Sequence, residues 1–263
     1  MSDSPPETDA PAPPSTALAA PDIDHEGLRS VFFYAVLGGL CPLIPIPFLD
    51  DLIIGVIRRN MVRAILGRAG LKPTDDQVAT LTHEDRGGCL MGCLTMVVVY
   101  PLKKIFRKIV YVLAVKDCAD VASKLLHEGL LLRYAIASGL ITTEHLHRYQ
   151  HPRLEHVRAA TVAACEEIDT RPINQLLRRL FSSSKGLMTD AARMLGSSIK
   201  ARRSKPRDAE AVSEAIDAVE GAERDKLEGQ VDQLDSELKE QAAYFKHLEG
   251  LFDRHLQAAE GSS

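Results

Sequence analysis

Between Ser30 and Leu49 the chain runs for 20 residues without a charged side chain, SVFFYAVLGGLCPLIPIPFL, and this run limits every fold open to it. Its length suits a membrane span, which needs about 20 apolar residues. Its interior does not. Gly38, Gly39, Pro42, Pro45 and Pro47 leave a continuous helix of only about ten residues before the break. A short buried helix or a re-entrant hairpin fits the pattern better than a simple span. Asp50 and Asp51 then open the next helix, where carboxylates suit the positive end of the helix dipole. A second charge-free run, Gly87 to Leu102, has 16 residues and kinks at Pro101. It is shorter than the roughly 18 residues that mark a spanning helix. Both runs are expected to pack on each other and on the helix that starts at Asp50, as a core or as a shallow membrane insertion.

Elsewhere the apolar spacing is helical. From Asp50 to about Arg68, Ile53, Ile54, Ile57, Met61 and Ile65 form one stripe, with Arg59 and Arg63 on another side. Gly70 ends that helix, and Thr74 is placed to cap a new one before Asp75 and Asp76. Helical periodicity continues from the basic stretch at Lys103 to Gly139, and again from Thr143 to about Glu167. No sustained strand alternation occurs. The fold class is therefore mostly α: a helical bundle with two Pro/Gly-interrupted apolar segments, 30–49 and 87–102, and a C-terminal coiled-coil-like helix.

Charge divides the chain into four parts. Residues 1–26 carry six acidic and no basic side chains and six prolines, a composition read as a disordered acidic Pro/Ala-rich N-terminus. It lacks the basic start of a secretory signal. Residues 27–170 form the helical body. Residues 171–207 hold ten basic residues against Asp190 alone and read as a basic tether with amphipathic helices. Residues 208–263 hold fifteen acidic and five basic residues and read as one long polar helix. In it Leu227, Val231, Leu234, Leu238, Gln241, Phe245, Leu248 and Phe252 repeat in steps of four and three, a heptad seam. Such a seam calls for a partner helix, a second copy, or the basic tether at 171–207 folded back against it.

Local chemistry is sparse. No phosphate-binding glycine loop, dinucleotide fingerprint, zincin motif or hydrolase elbow occurs. Glu144, His147 and His151 could share a helix face as metal ligands within the cluster His145, His147, His151 and His156, against the plainer reading of a solvated polar face. Cys89 and Cys93 stand four apart in the second apolar run, where buried cysteine is ordinarily a small hydrophobe. The five cysteines are an odd count, scattered without any CxxC pair, which suits a reducing compartment. Two basic stretches lie beside apolar residues: Lys103, Lys104, Arg107 and Lys108, and then Arg193, Lys200, Arg202 and Arg203 around the stripe Leu187, Met188, Ala191, Leu195 and Ile199. Basic side chains flanking an apolar stripe suit an anionic lipid surface. Nucleic acid is disfavoured, because aromatics are 5% of the chain, tryptophan is absent and Phe181 alone lies in the basic segment.

The stretch CPLIPIPFLDDLIIGVIRRNMVRAILGRAG, Cys41 to Gly70, resembles bacterial membrane-associated helical domains of the YcjF type, and more loosely the EcsC type. The likeness lies in the apolar helix, the Pro-Ile-Pro-Phe turn at Pro45 to Phe48, the aspartate after it, and the apolar helix ending at Gly70. It covers residues 27–70. The chain departs from the pattern in its second aspartate and in Arg58, Arg59 and Arg63. The resemblance implies membrane association and a possible GTPase partner, and transfers no catalytic residue.

Together these readings give a non-enzymatic adaptor or scaffold without a cofactor. It would be cytoplasmic and peripheral or partly embedded at the inner membrane, docking by apolar segments and basic patches and recruiting a partner or a second copy through its C-terminal helix. The alternatives are an all-helical interaction module that oligomerises through that helix, and a metal-dependent enzyme built on the His145–His156 cluster.

Overall fold

The computed structural model describes residues 25–44, 50–82, 107–147, 152–202 and 208–261. Among the described residues the regular structure is all helical, with no strand. The first apolar run becomes α1 (His25–Gly39) and a 3-10 turn, Cys41–Leu43. Every residue from Ser30 to Cys41 is buried. A helix apolar on all sides is stable only inside. Three helices surround α1: α2 (Asp50–Arg68), α4 (Arg107–Ala137) and α9 (Ala209–Lys239). Of the two placements open to this run, the structure shows the core. Among the described residues no helix is long and apolar enough to cross a membrane. The second run, 87–102, and the turn at Pro45 to Phe48 lie outside the described residues.

The crossing of α1 and α4 is close because glycine lines it on both sides. A Cβ on Gly39 would stand 2.9 Å from the Cys118 carbonyl oxygen and 2.5 Å from Cζ of Phe181. One on Gly129 would stand 2.6 Å from Cγ1 of Val31. Around this crossing the sequence signals hold. In α2, Ile53, Ile57, Met61 and Ile65 are buried and Ile54 is half-buried. Gly70 closes α2 at φ 73°, with the Leu71 amide donating back to the Leu66 carbonyl, and Leu71 itself is buried. Thr74 and Gln77 cap α3 (Asp75–Thr82) reciprocally: the Gln77 amide donates to Thr74 Oγ1 at 3.4 Å and the Thr74 amide to Gln77 Oε1 at 2.8 Å.

The helical periodicity from Thr143 to Glu167 is carried by two helices, α5 (Thr143–His147) and α6 (Pro152–Glu167), with Pro152 at the first helical position, where its missing amide hydrogen costs nothing. Two expectations are corrected. The described part of the segment read as a tether, residues 171–202, is packed into the bundle. Its α7 (Arg171–Ser183) buries Ile173, Leu176, Leu177, Leu180 and Phe181, largely against α4, and its α8 (Lys185–Arg202) buries Met188, Ala191, Leu195 and Ile199, largely against α9. The basic composition describes only the outer sides of these helices. Finally, the long C-terminal helix breaks at Glu240–Gln241 into α9 and α10 (Ala242–Gly261). The heptad register cannot cross that turn, so the seam divides. Val231, Leu234 and Leu238 are buried on α9, which packs on α8, α1 and α2. Leu248 and Phe252 are buried on α10, which packs chiefly on α6, while Phe245 is half-buried. The side chain of Leu227 lies outside what is described. These seam residues join the same continuous core as α1, so they are not a vacant docking seam. Of the C-terminal part, α9 packs on α8 through apolar stripes, whereas α10 packs on α6 and not on the basic segment.

Candidate functional site

Because α7 and α8 bury their apolar stripes, their outward sides carry what is left of their sequences, and that is basic. Arg171, Arg179, Lys185, Arg193, Lys200 and Arg202 are exposed and Arg178 is half-exposed, with Asp190 as the sole acidic residue of the two helices. Four of the arginines meet carboxylates at the margin: Arg171–Asp169 at 2.7 Å, Arg193–Asp190 at 2.7 Å, Arg178–Asp120 at 3.7 Å and Arg202–Glu214 at 3.7 Å. Solvent-exposed pairs of this kind contribute little and exchange readily for another anion. Arg193, Lys200 and Arg202, singled out from sequence, are each exposed on α8, as is Lys185, and Arg171 and Arg179 are exposed on α7. Arg203, Lys103 and Lys104 lie outside the described residues, and of Arg107 and Lys108 only the helical backbone at the start of α4 is described.

Of the three residues of the proposed ligand face, two are described. Glu144 and His147 are exposed on α5, which ends at His147, and His151 lies outside the described residues. His145 is held by Thr142, whose backbone amide donates to Nδ1 at 3.2 Å. Among the described residues no three His, Cys, Asp or Glu side chains are grouped to hold a metal. The shared face required the helix of Glu144 and His147 to continue to His151, and α5 ends at His147.

A buried ionic centre escaped the sequence reading. Arg58 of α2 donates from Nε to Glu128 of α4 at 2.6 Å, and Arg158 of α6 approaches the other carboxylate oxygen at 3.5 Å. All three side chains are buried. They border a cavity of about 20 Å³, walled by Met61, Leu81, Leu132 and Val157 and by Thr161, whose hydroxyl donates to the Val157 carbonyl. That space suits about one water. A guanidinium keeps its charge at any working pH, so Glu128 acts as a fixed ionic joint for three helices. The signal was present in the sequence: His127 and Glu128 interrupt an otherwise apolar stretch, Leu125 to Leu132.

His127, on the neighbouring side of α4, is 1% exposed. Nδ1 lies 2.5 Å from the Ser123 carbonyl oxygen, which can only accept, so Nδ1 carries the proton. Nε2 then accepts from the Tyr244 hydroxyl at 2.7 Å. Burial lowers the imidazole pKa below its ordinary value, outweighing the bond to Ser123 and the pull of Glu128. Burial likewise raises the Tyr244 hydroxyl above its ordinary range, so it stays a donor. The pair fastens the first turn of α10 to α4. Further along, Asp253 accepts from Tyr134 at 2.8 Å, and Glu167 accepts from Arg254 at 2.6 Å and meets His255 at 2.8 Å. Burial pushes the thiols of Cys118 and Cys165 up to about 12, which leaves them protonated and poor nucleophiles.

The geometry offers a basic outer surface, a buried ionic joint and a polar fastening of the last helix. No family model, curated protein or solved structure matches the chain.

Proposed function

We propose that this protein is a non-enzymatic adaptor that docks peripherally on an anionic membrane surface, with the outward sides of α7 and α8 as the docking face. The observation that carries the reading is the seven basic side chains displayed there against Asp190 alone. Each basic side chain near an anionic leaflet contributes about 1 kcal/mol, and the marginal pairs with Asp120, Asp169, Asp190 and Glu214 yield to lipid phosphate at little cost. The resemblance of residues 27–70 to YcjF-type membrane-associated domains supports the same direction. The apolar run at Ser30 to Cys41 contributes nothing to docking, because it is the core.

Flotation with lipid vesicles tests the reading. Replacing Arg179, Lys185, Arg193 and Lys200 with glutamine removes four charges, so binding to phosphatidylserine-rich vesicles should fall by about a thousandfold, at about 1 kcal/mol each. Neutral vesicles should bind neither protein. Equal binding of both proteins to anionic vesicles would overturn the assignment of the face. Salt-sensitive DNA binding of similar strength would transfer it to nucleic acid. A second reading, an interaction module that uses the same face for an acidic protein, is favoured by the burial of residues 30–41. It would show as no vesicle binding at all.

A further inference from the structure

α9 and α10 meet at a turn that nothing local requires. Lys239, Glu240, Gln241, Ala242 and Ala243 are all strong helix formers, and no glycine or proline stands between Leu238 and Lys246. Glu240 keeps φ −70° and ψ −16°, in the right-handed helical region. The Gln241 amide donates to the Leu238 carbonyl at 2.9 Å, three residues back instead of four. The turn also lies at the surface, with Glu240, Ala242 and Ala243 exposed. The heptad steps Leu234, Leu238, Gln241, Phe245 and Leu248 run through it in phase, although the bent chain sends the two halves to different neighbours. Bending places no demand on that register, whereas a continuous helix uses it.

We infer that this turn is a hinge through which two copies of the chain exchange α10. In the exchanged pair α9 and α10 straighten into one helix, and α10 of each copy takes the other's place on α6 and α4. The anchoring permits it. α9 packs on α8, α1, α2 and α7, whereas α10 packs chiefly on α6 and then on α4, so α10 leaves without disturbing what holds α9. Its fastenings transfer intact: Tyr244 donating to His127 at 2.7 Å, Asp253 accepting from Tyr134 at 2.8 Å, and Leu248 and Phe252 in the core. Each contact broken within a chain is remade between chains. The two forms therefore differ only at the turn and in the entropy of association, and concentration sets the balance between them.

Refolding the full chain from urea at high concentration tests this, with light scattering on the fractionated product. A dimer should form that is absent after refolding from dilute solution. Isotope labelling identifies the exchange: heavy and light chains are mixed in denaturant, refolded together, and treated with an amine cross-linker. Lys124 stands three residues from His127 and Lys246 two from Tyr244, and both lysines are exposed. In the dimer, Lys124–Lys246 links should include ones that join a heavy peptide to a light one; in the monomer both peptides should carry the same isotope. Ala242 is the first residue of α10, where proline is tolerated, but it would lie inside a straightened helix, where proline is not. Ala242→Pro should therefore stay monomeric in the same refolding. So should a chain with a short Gly/Ser insertion between Gln241 and Ala242, which gives α10 slack to dock on its own chain. No dimer from wild type, links of one isotope only, or undiminished dimer from the insertion variant would each overturn the inference.

Discussion

At Gly39 a single methyl group has nowhere to go. It would meet a backbone carbonyl at 2.9 Å and the Phe181 ring at 2.5 Å, and neither the carbonyl nor a ring packed in the core can step aside without moving α4 or α7. Gly39→Ala should therefore cost about 2 to 3 kcal/mol through overpacking. Gly67, exposed in α2 with nothing within 4 Å of an added Cβ, gives the control: Gly67→Ala should stabilise by about 0.5 to 1 kcal/mol. Urea unfolding of the two variants reads both signs, and equal effects would mean that α1 and α4 are not in close approach. His127 sets a pH dependence. Its folded pKa lies below the unfolded value, so the unfolded chain takes up the proton first as the solution is acidified. Its contribution to stability is complete above an unfolded pKa of about 6.5 and is lost as pH falls from there toward the depressed folded value. Stability measured from pH 8 to 5 should fall less steeply in His127→Gln than in wild type; parallel curves would show that this imidazole is not buried neutral.

Among the elements, α9 and α10 were read as a vacant coiled coil and are instead walls of the bundle. Leu234→Asp places a carboxylate at a fully buried position, so it should cost several kcal/mol and lower the melting of the whole chain. Thermal unfolding checks this. A variant that melts like wild type, with only its oligomeric state altered, would restore the vacant seam. The joint of α2, α4 and α6 is similarly exposed to test. Glu128→Gln sets a neutral amide between two buried guanidinium groups, and breaking a buried pair in this way costs about 3 to 5 kcal/mol. Glu128 should matter more than Arg158, whose contact is 3.5 Å against 2.6 Å for Arg58. Arg158→Met, which keeps the volume without the charge, should accordingly cost much less than Glu128→Gln in the same denaturation experiment.

For the molecule as a whole, one continuous core runs from Val31 to Leu256 and joins the helical body, the basic segment and the acidic C-terminal part that composition had separated. A chain ended after Arg207 loses α9 and α10, which uncovers faces of α1, α2, α6 and α8 together. It should therefore lose cooperative unfolding altogether rather than melt as a smaller domain. Calorimetry checks this: a sharp transition retained by residues 1–207 would show a body that folds by itself, as the charge blocks had suggested. The asymmetry of surface charge persists in the folded protein. Among the described residues, α7 and α8 expose basic side chains against Asp190 alone, while α9 exposes carboxylates.

Helical class, the limits of α2, the glycine stops at Gly70 and Gly139 and the cap at Thr74 were determined by the sequence alone, because each depends on residues within one turn of one another. The burial of Ser30 to Cys41 was half determined: the absence of charge required an apolar environment, and proline and length argued against a simple span. Only the tertiary structure decided that this environment is the protein itself. It also decided what local pattern cannot carry. The heptad spacing from Leu227 to Phe252 continues through Gln241 in sequence, yet the backbone turns at Glu240–Gln241, and a turn sends the two halves of a stripe to different neighbours. The meeting of Arg58 with Glu128, 70 residues apart, and of His127 with Tyr244, 117 apart, depends on how helices cross. Crossing is set by side-chain volume summed over several helices, with Gly39 and Gly129 at the closest point, and no window of sequence contains that sum.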